Sequence, residues 1–133
     1  MQAIRFIKGK SVDIYLLEHK NHLEVKEFFD RNKNNRELRG VISGFIKIIT
    51  TLASEGYIFP VQLFKCWTEQ GEYFCEIIKG RHRISCFKYD HGRKLLLVTY
   101  FIKKAQTEKK EYTRALRLKK AFDERMDWGE QDE

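Results

Sequence analysis

Proline is nearly absent from this chain. Pro60 stands alone among 133 residues, and nothing in the chain reads as disordered or low in complexity. Long apolar runs are missing too. None approaches the roughly 20 residues needed to span a bilayer, and the N-terminus has no charged head, apolar stretch and small-residue cleavage site, so a cytoplasmic protein without membrane contact is expected. Cysteine is scarce and odd in number: Cys66, Cys75 and Cys86 lie in strand-like stretches with no CxxC pair, which predicts reduced, structural thiols. There is no glycine-rich phosphate loop and no GxSxG elbow, which removes nucleotide hydrolysis and acyl transfer. His19 and His22 have no cysteine or carboxylate cluster to complete a metal site, so neither metal nor cofactor is expected.

What is present is a large apolar fraction and an uneven positive charge. Apolar residues make up 42% of the chain and aromatics 14%, enough for a real core. The net charge is +7, but residues 65–120 carry 15 basic against 6 acidic side chains, a block charge of +9. A basic surface of that strength attracts polyanions, nucleic acid first. Residues 121–133 reverse the sign, with 1 basic and 6 acidic side chains. A single domain over 1–122 followed by an acidic tail over 123–133 is the expected organisation.

Periodicity supplies the elements. SVDIYLL alternates Val12, Ile14 and Leu16 with polar neighbours, a half-buried strand, and MQAIRFI before it reads as another. Asn21 and Glu24 have capping-box spacing and open a short helix with Val25, Phe28 and Phe29 on one face. Leu38 to Leu52 then recur at three- and four-residue steps up to Gly56, a long amphipathic helix, with Gly40 and Gly44 predicting close packing. After Pro60 the period becomes two. VQLFKCW, EYFCEII, RHRISCFKY and RKLLLVTYF predict four strands in an antiparallel meander, the last buried on both faces. TEKKEYTRALRLKKAFDERM closes with a helix. The fold class is α+β: N-terminal strand, two helices, meander, C-terminal helix.

Candidate chemistry gathers at the meander. Alternation puts Arg81, Arg83 and Ser85 on one side of their strand and His82, Ile84 and Cys86 on the other. Lys103 and Lys104 end the neighbouring strand, and Lys109, Lys110 and Tyr112 open the final helix. Arginine grips phosphate through two donors and lysine acts as a point charge. Tyr112 suits base stacking or proton donation, and by helical spacing equally suits the core.

The stretch GRHRISCFKYDHGRKLLLVTYFIKKAQTEKKEYTRAL resembles the C-terminal half of the Gp49-like, HigB-type toxins of the RelE/ParE superfamily. Phe101-Ile102-Lys103-Lys104 and Gln106-Thr107 carry the likeness, and VDIYLLEHKNHLEVKEFFDRNKNN resembles that family's opening strand and helix. The resemblance implies a RelE-like fold and a metal-independent messenger-RNA endoribonuclease working at the ribosome. It also implies a cognate antitoxin, of helix-turn-helix type, as partner. On it, Arg83, Lys104, Tyr112 and His82 are the expected catalytic residues, and Arg81, Lys103, Lys79, Lys109 and Lys110 the RNA-binding ones. Ile78 stands where the family often has a basic residue. Two other readings share these features: a ParE-like inhibitor of DNA gyrase, and a basic RNA-binding or regulatory module without enzymatic activity.

Overall fold

A computed structural model of the chain describes residues 1–106 and 108–129. The predicted Gln106-Thr107 linker therefore has its second residue outside the described part, as are residues 130–133 of the acidic tail. Among the described residues seven strands form one mixed sheet: β1 (Gln2–Ile7), β2 (Asp13–His19), β3 (His22–Leu23), β4 (Phe64–Glu69), β5 (Glu72–Lys79), β6 (His82–Tyr89) and β7 (Lys94–Ile102). The order across the sheet is β1-β2-β7-β6-β5-β4, with β3 paired to the end of β2. The last four strands are the antiparallel meander that their short turns predict. Beyond it, β2 joins β7 in parallel, which makes the sheet mixed.

Helices α1 (Glu24–Asn32) and α2 (Arg39–Glu55) cover one face, and α3 (Lys109–Arg125) covers the other. Two cores result. Ile14, Leu16, Phe29, Phe45, Ile49, Ile77, Ile84 and Leu97 fill the first, while Tyr15, Leu17, Phe74, Phe87, Leu96, Phe101, Tyr112 and Phe122 fill the second. This explains the nearly all-apolar run of β7, which feeds both buried layers: Leu95, Leu97 and Tyr100 go to one and Leu96, Val98 and Phe101 to the other, with a register shift at Val98–Thr99. The same holds for β2. It is buried on both faces, because α3 and its continuation cover Tyr15 and Leu17, and the half-buried strand expected from SVDIYLL is corrected accordingly.

Three further expectations change. Asn21 does not cap α1, since Lys20 and Asn21 form the β2–β3 turn with φ of 52° and 64°. Instead Glu27 reaches back and accepts the Leu23 amide at 3.1 Å. Cys66 and Cys75 face each other across β4 and β5 with Cα atoms 4.1 Å apart and are joined by a disulfide, leaving Cys86 as the free thiol, so three reduced cysteines are not what the fold holds. The tail expected from residue 123 also belongs partly to the domain. α3 runs to Arg125, Met126 turns the chain in a left-handed cap, and Trp128 packs its edge on Tyr15, Tyr89 and Phe122. The Asp127 carbonyl accepts the Ala3 amide at 2.8 Å, tying this segment to strand β1.

α2 ends at Gly56 in the left-handed conformation that its position predicts. Of its internal glycines, Gly44 does pack closely, because a methyl there would lie 2.5 Å from Cε of Lys79. Gly40 has nothing within 4 Å of such a methyl, so close packing does not explain it.

Candidate active site and nucleic-acid interface

The two-residue turn at Gly80 and Arg81 sets the register that builds the site. It pairs Ile78 with Arg83 across β5 and β6, and β6 in turn pairs Arg83 with Phe101 of β7. The Lys103 amide donates to the Arg81 carbonyl at 2.8 Å, so these two cations are neighbours at the end of the sheet. Arg83 points to the α3 face. Its Nε lies 3.3 Å from Oε1 of Glu76, and both side chains are buried, at 11% and 5% exposure. Its Nη1 donates to the carbonyls of Gly80, at 2.5 Å, and His82, at 3.1 Å.

Glu76 is a member of the site that the sequence reading missed. The alternation of EYFCEIIK places it on the Phe74 side, facing α3, and burial pushes its carboxyl pKa up against the opposing pull of Arg83, Lys103 and Lys65. Neither Oε2 of Glu76 nor Nε of Arg83 has a hydrogen-bond partner, so the pair holds by charge and proximity rather than by aligned donors. Glycine or proline would have flagged a special backbone; a lone glutamate in an apolar strand is the only signal here.

Tyr112 lies above this pair and is 8% exposed. Its ring makes edge contacts with Trp67, Phe74 and Phe101, so it is a core residue as its spacing on the helix allowed. Burial, and then the negative charge of Glu76 and Glu69, push its phenol up to about 12. At neutral pH it keeps its proton, so it can give a proton but cannot serve as a base. Lys104 stands beyond the strand with an exposed side chain, while its amide and that of Ala105 donate to Oε1 of Glu108. Lys109 and Lys110 are exposed on the first turn of α3.

Two expected site residues lie on the face opposite Arg83. His82 points away from Arg83, into the layer covered by α1, where Nδ1 is 2.6 Å from the Tyr100 hydroxyl and its ring stacks near Tyr100 and Phe28. Burial, and then Arg83, lower its pKa. Lys79 also points to that face and lies over Gly44. The period of two along β5 and β6 is the cause: the cross-strand pair Ile78–Arg83 faces α3, and the next pair, Lys79–His82, faces the other way. His19 and His22 flank the β2–β3 turn, and no group of metal-ligating side chains occurs among the described residues.

Comparison with known protein families, curated proteins and solved structures found no match.

Proposed function

We propose that this protein is a metal-independent endoribonuclease of the RelE/HigB toxin type, which cuts ribosome-bound messenger RNA and is held inactive by a cognate antitoxin. One observation carries the reading: Arg81, Arg83 and Lys103 gather at the end of β6 and β7, beside Tyr112 and next to the exposed Lys104. Attack of a 2′-hydroxyl on the adjacent phosphate passes its proton to solvent water at the open mouth, breaks the bond to the 5′-oxygen and leaves a 2′,3′-cyclic phosphate, and the negative charge that builds on the phosphoryl oxygens is stabilised by fixed cations. Lys103, Lys104 and Arg81 supply such charge at the mouth. Arg83, clamped by Glu76 and the Gly80 carbonyl, adds a fixed guanidinium beneath them. Tyr112, protonated at neutral pH, donates to the leaving 5′-oxygen.

Primer-extension mapping of transcripts after brief induction tests this. Cleavage inside translated messages is expected, falling about 10²–10⁴-fold in the Lys103→Ala, Lys104→Ala double variant. Intact transcripts together with loss of gyrase activity would overturn it.

A specific observation favours a second reading, the RNA-binding module without chemistry. His82 lies on the far face and Arg83 already spends its charge on Glu76. On that reading the protein binds RNA and leaves it whole.

A further inference from the structure

We infer that the groove between α3 and the β2–β3 turn is a subsite for single-stranded RNA, distinct from the Arg83 cluster. It rests on the ribonucleic-acid reading above for the class of its ligand. The groove has a volume of about 290 Å³. Its floor is apolar, formed by Leu17 and Val98 of the sheet and Leu118 of α3, and its rim carries Lys20, His19, His22 and Arg117. Lys20 and Arg117 are exposed and make no ion pair among the described residues, so their charge is available to a ligand. Glu24 and Arg114 also border the groove, but they neutralise each other: Nη1 and Nη2 of Arg114 donate to the two carboxylate oxygens at 2.8 and 2.9 Å.

This combination suits a nucleotide in a single strand. A base covers apolar surface while its phosphate stays at a cationic, solvated rim. A larger groove of about 500 Å³ on the other side of α3 shares Arg117 and adds Lys120, but it is lined by two carboxylates, Glu72 and Asp123, which hold Lys119 at 3.3 and 2.6 Å, and it has no buried apolar floor residue from the sheet. The chosen groove also lies at the same end of the sheet as the cluster. β2 and β7 run parallel, so His19 and Lys20 leave the sheet at the end where Lys103 and Lys104 do. Lys109 and Lys110 precede Arg117 on α3 by about two turns.

The test uses a short, fluorescein-labelled 2′-O-methyl RNA, which has no 2′-hydroxyl to attack, so binding is read without cleavage. The full chain is compared with Lys20→Gln, Arg117→Gln and with a control pair of equal charge change, Lys10→Gln, Lys33→Gln, thermal melting confirming that both fold. We expect the groove pair to weaken binding at least about tenfold and to flatten the log affinity against log salt slope by about 1.4, two phosphate contacts at roughly 0.7 each. The control pair should change affinity less than about twofold. Equal losses in both pairs, no loss in the groove pair, or no binding by the unaltered protein would overturn the subsite. Failure of the nuclease reading looks different: the unaltered protein would bind the probe, lose it on groove substitution, and still leave ordinary RNA uncut.

Discussion

Arg83 serves the fold and the proposed chemistry with the same guanidinium, which changes how its removal must be read. Arg83→Ala strands the Glu76 carboxylate in a site of 5% exposure, and breaking a buried ion pair from one side costs about 3–5 kcal/mol. Urea unfolding should show that loss, so inactivity of the single variant says little about catalysis. Replacing both partners, Glu76→Gln with Arg83→Met, removes the charges and keeps the volume, and should restore most of the lost stability while leaving RNA uncut. A double variant as unstable as the single one would show that the charge pair is not what holds this corner. The pH dependence of Glu76 has a definite sign. Its folded pKa is raised by burial, so the folded state binds the proton more tightly and stability falls as pH climbs from the ordinary carboxylate range through the raised value. Urea midpoints of Glu76→Gln should lack that slope. The sequence showed Glu76 in its strand but not opposite Arg83, since that depends on a register set by the turn at Gly80.

At the scale of elements, backbone contacts decide which glycines matter. A methyl on Gly9 would sit 1.9 Å from the Val12 carbonyl oxygen and 2.4 Å from that of Ala53, so Gly9→Ala should destabilise by about 1–3 kcal/mol or more. Gly40→Ala meets nothing and should stabilise by up to about 1 kcal/mol through helix propensity. Thermal melts of the two variants should move in opposite directions, and a shared direction would refute the assignment. The segment after α3 is the other element with a measurable contribution. Trp128 buries its ring against Tyr15, Tyr89 and Phe122 with Lys94 Nζ 4.4 Å above it, and Trp128→Ala should cost about 3–5 kcal/mol. An unchanged melting point would restore the view of a trailing tail. Strong periodicity made the meander and α2 legible in advance. The Trp128 segment was not, because an acidic composition describes solvent-facing residues and says nothing of the one aromatic that turns inward. The burial of β2 on both faces was hidden for a related reason: only the arrival of α3 turns its second face into a core.

For the whole molecule, the sheet is a partition. Arg83, Lys103 and Tyr112 belong to the α3 side, near Glu76, whereas His82 and Lys79 belong to the side of α1 and α2. His82 is held on the far face by the Tyr100 hydroxyl, so its ring is not directed at a phosphate bound beside Lys103. His82→Gln should therefore leave RNA cleavage within about twofold of the unaltered protein, and the pH profile of cleavage should not move. Its effect should appear in stability instead. Because burial lowers the folded pKa of His82, the unfolded chain takes up the proton more readily, and stability is lost as pH falls through the ordinary histidine range near 6.5 and on through the lowered folded value. His82→Gln should remove that acid-side loss while giving up the contact with the Tyr100 hydroxyl. A large fall in cleavage by a His82→Gln protein that melts normally would place the histidine at the reacting phosphate and would require strands β6 and β7 to present their other face.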